Sequence, residues 1–149
     1  MAIRQADVSR KPVVYREATA RGKILLTERT IRLIKDGVIE KGDPLAISKT
    51  MAMLAVKRTP DLLALCHPLK IERVEVEAVV LENCIEVWVT VSAHEKTGVE
   101  MEALTAVSIA LLNLWDVVKP YEKDRHGQYP TTRIEGVEVV KKVKKDGRS

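Results

Sequence analysis

Period-two alternation dominates the middle of the chain. Val74, Val76, Ala78 and Val80 fall on one side of a strand, while Arg73, Glu75 and Glu77 fall on the other. Beyond a short turn at Glu82-Asn83, Ile85, Val87, Val89, Val91 and Ala93 repeat the pattern. The two segments predict an antiparallel hairpin with one solvated face. A further strand over 13–26 ends in the apolar run Ile24-Leu25-Leu26, and a last one over about 132–143 alternates through Val137, Val139 and Val143. Helical signals separate these strands. Thr27 is placed to cap a short helix, with Glu28 at its positive end, Lys35 near its negative end and Gly37 as its stop. Asp43-Pro44 reads as an N-cap and first helical residue, opening a helix over roughly 44–58 that ends at Lys57-Arg58, before a loop over 59–69. The longest helix, about 99–119, carries the stripe Leu104, Val107, Leu111, Leu114, Val118. Helices covering one face of a mainly antiparallel sheet make an α+β two-layer sandwich, and the element order points to a ferredoxin-like arrangement.

A chain of 149 residues favours one domain, here 1–149, with 1–12 and 144–149 expected to be flexible ends. Apolar residues at 46% and charged residues at 31% argue against disorder. No run approaches the ~18 apolar residues of a spanning helix, and Met1-Ala2-Ile3-Arg4-Gln5 has no secretory apolar core. Cys66 and Cys84 make no disulfide framework, so a soluble cytoplasmic protein is expected. Net charge is +4, and Lys141–Ser149, with five bases and one acid, accounts for all of it. The other 140 residues carry 20 bases and 20 acids, and the five aromatics include no Phe. A neutral body without stacking residues argues against a nucleic-acid partner. Asn and Gln number only four beside abundant Lys and Glu, a bias that fits heat adaptation.

Several familiar devices are absent. The seven glycines form neither G-x-G-x-x-G nor a P-loop, there is no C-x-x-C, and His94-Glu95 does not continue to H-E-x-x-H, so no metal site is expected. Three segments carry candidate chemistry. Leu65-Cys66-His67-Pro68 puts a His with a near-neutral pKa beside a Cys in a loop, as an acid/base or phosphate donor, or as a turn cap before Pro. Lys96-Thr97-Gly98-Val99-Glu100-Met101-Glu102 opens the long helix; its acids offset the helix dipole, or join free N–H groups in holding a guanine-like base. Asp116 and Lys119, three apart, form a surface ion pair or a proton-transfer couple, with Trp115 beside them. Glu102 and Asp116 are 14 residues apart, which is ~21 Å along a helix. That is long for one compact pocket. Either the ligand is elongated or, as preferred, each pocket draws on two subunits.

Together these segments resemble a known family. Lys57-Arg58-Thr59-Pro60-Asp61-Leu62 through Leu65-Cys66-His67-Pro68-Leu69 into Arg73-Val74-Glu75-Val76 is similar to the MoaC family. So is Lys96 through Ala106, followed by Asp116 and Lys119, with further matches at Asp7-Val8-Ser9, Arg16-Glu17-Ala18 and Lys41-Gly42-Asp43. The resemblance implies a ferredoxin-like core assembled as a homohexamer, a trimer of dimers with interface pockets. It implies a lyase of molybdenum cofactor biosynthesis that converts 3′,8-cyclo-7,8-dihydro-GTP into cyclic pyranopterin monophosphate and releases pyrophosphate. It further implies a substrate pocket lined by Leu65, Cys66, Met101 and Glu102, with Glu100 as a further polar candidate. Arg16, Lys41, Lys57 and His67 are candidates for contacts to the triphosphate or ring, because cations stabilise a pyrophosphate leaving group. Asp116 and Lys119 become the acid/base partners. The C-terminus departs from the family's Lys followed by Ser-Gly-Gly-Lys-Ser-Gly, reading Lys141-Lys142-Val143-Lys144-Lys145-Asp146-Gly147. The equivalent catalytic lysine is placed at Lys142, with Lys141 as the alternative. No resident cofactor is implied; any Mg²⁺ would arrive with the substrate's phosphates.

Overall fold

The computed structural model describes residues 1–146. Strand β1 (Val14–Leu25) alternates buried and half-buried positions along its whole length. Its neighbours are β3 (Cys84–Glu95) on one side and β4 (Arg133–Lys145) on the other, and β2 (Arg73–Val80) pairs with the outer edge of β3. The sheet order is β2-β3-β1-β4, with every pairing antiparallel. The helices α1 (Glu28–Lys35), α2 (Pro44–Leu62) and α3 (Glu100–Glu122) follow β1, α1 and β3 in turn. Their packing lies on one side of the sheet, which is the ferredoxin-like sandwich the periodicity predicts.

The inner face is set by side-chain size. Ala18, Ala20 and Ile24 of β1 and Ile85, Val87, Val89, Val91 and Ala93 of β3 are at most 1% exposed. Burying each large aliphatic side chain contributes about 1.5–3 kcal/mol. Gly22 sits among them with no room for a methyl group: a Cβ there would meet Leu111 Cδ1 at 2.8 Å and Val107 Cγ1 at 2.9 Å. By length and composition α3 could cross a membrane, but half of its most apolar window is buried as the central helix of this core. The opposite face of the sheet carries the polar partners of the alternation, including Glu17, Thr19, Arg21, Trp88 and Thr90.

Helix starts follow their caps. Thr27 Oγ1 accepts the Thr30 N–H, and Asp43 Oδ1 accepts those of Leu45 and Ala46. Gly37 closes α1 with φ +70°. Helix ends depart from expectation. Instead of stopping at Arg58, α2 runs through Pro60 to Leu62, and α3 passes Pro120 to reach Glu122. The residue before a proline disfavours helix, but packing outweighs that preference. Thr59 is fully buried, and its hydroxyl donates to the Ala55 carbonyl at 2.8 Å.

The last strand also differs. Its register against β1 shifts twice, at Arg21/Lys23 opposite Gly136 (φ +67°) and at Thr19/Ala20, where Val140 is extra. Val139 therefore opposes inner Ala20 whereas Val143 opposes outer Glu17, so the expected single alternating face is broken. Lys144 and Lys145, expected in a flexible end, pair with Arg16 and Tyr15. Residues 147–149 of that expected end lie outside the described residues.

Candidate active site

The loop after α2 and the start of α3 come together. Leu65, Cys66 and His67 line a hollow of about 470 Å³ with Thr97, Gly98, Glu100 and Met101, a size suited to a small-molecule ligand. The N-terminal segment forms its remaining wall through Ala6, Asp7, Val8 and Lys11. His67 Nε2 lies 2.8 Å from the Ala6 carbonyl, and Lys96 Nζ lies 3.4 Å from that of Ser9, so part of the expected loose end is laid against the site.

The helix start is chemically open. Val99, the N-cap position of α3, offers the first turn no side-chain hydrogen bond. Glu102 is 1% exposed, and its Oε1 has no hydrogen-bond partner. Its Oε2 accepts the Cys66 thiol at 3.7 Å. Burial raises the Glu102 pKa above the usual carboxylate range. Burial first, and then the Glu102 carboxylate, pushes the Cys66 thiol up to about 11. Cys66 is thus a hydrogen-bonding wall residue at neutral pH, with little nucleophilic thiolate.

Lys142 and Arg16 also reach this end. Lys142 Nζ donates to Glu100 Oε1 at 3.2 Å. Of the two lysines left open by the sequence, Lys142 opposes inner Ala18, whereas Lys141 opposes Thr19 and bridges Glu17 on the outer face at 3.9 Å. The Val140 bulge puts Lys142 on the helix side. Arg16, 5% exposed, donates to the carbonyls of Glu95 and Lys96 at 3.4 and 3.2 Å. Within this chain it braces the β3–α3 connection.

The other candidates gather at the far end of α3. Lys119 Nζ is 3.0 Å from Asp116 Oδ1, and Lys41 Nζ, from the α1–α2 connection, is 3.6 Å from Asp116 Oδ2. The Lys119 ammonium first, and Lys41 after it, hold the Asp116 carboxyl below its ordinary range, while Asp116 raises Lys119. Leu112, Trp115 and Tyr129 share a shallow groove with Asp116 and Lys119, and the two rings meet edge to face at 5.2 Å. No sequence signal pointed to Tyr129. Lys57 joins neither group; it borders a groove with Met53, Leu69, Ile71 and Arg73 between α2 and β2. Among the described residues, no group of three His, Cys, Asp or Glu side chains could hold a metal ion.

One chain therefore gathers candidate residues at the two ends of one helix. Such a ferredoxin-like domain, with a polar hollow at one end of its central helix and an Asp–Lys couple at the other, has the parts of a small-molecule enzyme. The MoaC family model matches residues 5–145, and the chain belongs to the MoaC family. It is 51% identical to a probable cyclic pyranopterin monophosphate synthase of Sulfurisphaera tokodaii over 93% of this chain and 91% of that protein. A probable cyclic pyranopterin monophosphate synthase of Pyrococcus horikoshii is 53% identical over 95% of this chain and 89% of its own length. A Methanothermobacter thermautotrophicus relative, named as a probable accessory protein of that synthase, is also 53% identical, over 95% of this chain and 89% of its own length.

Proposed function

We propose that this chain is a lyase that converts 3′,8-cyclo-7,8-dihydro-GTP into cyclic pyranopterin monophosphate with release of pyrophosphate, an early step of molybdenum cofactor biosynthesis. The observation that carries the reading is the Asp116–Lys119 couple, 3.0 Å apart, in a chain matching the family from residue 5 to 145. Rebuilding the purine-derived ring into a pterin requires proton transfers, and Asp116 and Lys119 exchange them as acid and base. An oxygen attacks the α-phosphate, and the bond to pyrophosphate breaks. Lys142 and His67, with the open start of α3, counter the charge of the phosphates. Lys41 holds the ligand beside Asp116.

Each pocket combines the two ends of α3 from two subunits of a trimer of dimers. Met101, Thr105, Ser108, Leu112 and Lys119 follow helical spacing along the outward face of α3, and Met101 and Leu112 are 41% and 54% exposed. A two-fold axis crossing that stripe near Ser108 and Ile109 brings Met101 of one copy opposite Asp116 of the other. The free thiols of Cys66 and Cys84 support a cytoplasmic enzyme.

The test supplies the purified chain, alone, with the cyclised GTP derivative and measures pterin product and pyrophosphate together. Both are expected from wild type, with Asp116→Asn and Lys119→Ala lowering kcat by about 10²–10⁴-fold. Turnover that needs a second protein favours an accessory role. Coexpressed Asp116→Asn and His67→Ala chains should recover about a quarter of wild-type activity if pockets are shared between subunits. No recovery opposes shared pockets.

A further inference from the structure

Lys41 and Asp116 are 75 residues apart, and nothing in their local sequence obliges them to meet. Two consecutive residues in the last turn of α3 account for the contact. Pro120 lies inside the helix, and its ring nitrogen carries no hydrogen. The helical partner of that missing donor is the carbonyl four residues earlier, which belongs to Asp116. The vacant carbonyl accepts the Lys41 ammonium at 3.0 Å. Next in sequence, the half-buried Tyr121 accepts the Glu40 N–H on its hydroxyl at 2.9 Å. Glu40 precedes Lys41, so this bond anchors the backbone from which Lys41 reaches the helix.

We propose that Pro120 and Tyr121 are positioning residues for the reaction. Pro120 frees the Asp116 carbonyl to receive Lys41, and Tyr121 pins the α1–α2 connection at the place from which Lys41 reaches both that carbonyl and the Asp116 carboxylate. The device suits a lysine that must hold a ligand. A long flexible side chain otherwise samples many rotamers, and fixing its backbone and one acceptor lowers the cost of its productive pose. Around the Asp116 carboxylate the facing groups are Lys119 from α3 itself, Lys41 from the α1–α2 connection, and Tyr129 from the segment after α3. Tyr121 touches none of the reacting groups and acts only through Lys41.

The inference rests on the proposed lyase reading for its effect on turnover, whereas its geometry is testable without substrate. The experiment uses the full chain with Tyr121→Phe and Pro120→Ala. The first keeps the ring in its packing and removes only the hydroxyl; the second restores a helical N–H at an exposed position. Thermal unfolding checks that both fold. The Asp116 carboxyl carbon is then titrated by NMR, and its midpoint should rise in each variant as Lys41 leaves. An unchanged midpoint in either variant overturns the role of that residue. In the turnover assay, Tyr121→Phe should lower kcat/KM about tenfold and move the acidic limb of the pH profile upward. Adding Tyr121→Phe to Lys41→Ala should cost nothing further; additive losses would show that Tyr121 does not act through Lys41. Absence of turnover in wild type, with the NMR shift present, would reject the reaction and leave the positioning intact.

Discussion

Cys66 Sγ lies 3.7 Å from Glu102 Oε2 and ties the loop after α2 to the first turn of α3. Two groups that both resist ionisation meet in one part-buried contact. Each holds its proton more firmly than the free group does, which opposes charge at that point of the wall.

Burial of Glu102 makes stability depend on pH. Folded Glu102 holds its proton above its ordinary value of 4.5, so the native state binds more protons than the unfolded chain in the window above that value. The stabilisation is fully present below pH 4.5 and is lost as pH rises through the folded value. Glu102→Gln should remove that decline, seen as flatter guanidinium midpoints against pH. Alkylation of Cys66 in wild type should accelerate toward pH 11, and its midpoint should fall in the Gln variant while burial still holds it above the ordinary 9.0. Parallel stability curves and unchanged alkylation would contradict the coupling.

At the other end of α3, buried Glu122 accepts the hydroxyls of Thr27 at 2.8 Å and Thr132 at 2.7 Å, the hydroxyl of Thr30, and the Thr27 N–H. One carboxylate thus joins the start of α1, the end of α3 and the approach to β4. Thr132→Val is expected to cost about 1.5–3 kcal/mol, as a bond to a charged acceptor. Glu122→Ala should cost more, because it strands several buried donors at once. Chemical denaturation of the two variants measures the order.

Gly22 offers a contest between two effects. In an open strand Gly→Ala gains about 0.4–1 kcal/mol by restricting the unfolded chain. Here the new methyl would sit 2.8 Å from Leu111 Cδ1, and overpacking of that kind costs about 1–3 kcal/mol. The expectation for Gly22→Ala is net destabilisation, read as a lower melting temperature with activity per folded molecule retained.

Gly98 is constrained differently. A Cβ there would collide with the Glu100 carboxylate, the group that receives Lys142 at 3.2 Å. Because a flexible side chain can move aside, Gly98→Ala should leave the melting temperature within a few degrees. It should weaken the Glu100–Lys142 contact and lower kcat/KM about tenfold. A variant with wild-type kinetics would show that this ion pair does not serve turnover.

The sequence by itself determined the hairpin, the three helices, the inner face of the sheet and the caps at Thr27 and Asp43. These rest on repeats and hydrogen bonds a few residues long, which any local stretch of chain expresses. It also determined that Cys66-His67, Met101-Glu102 and Asp116-Lys119 belong together in one family's motif. Only the tertiary structure decided that helices continue through Pro60 and Pro120, because burial of Thr59 and Glu122 outweighs the local bias of proline. It alone decided that Val140 is extra in its strand, which turns Lys142 toward α3 and Lys141 away. The meeting of Lys41 with Asp116, and of Glu122 with Thr30 and Thr132, likewise depends on how distant elements pack. Register and packing are cooperative properties of the whole sheet and its helices, so no local window of residues encodes them.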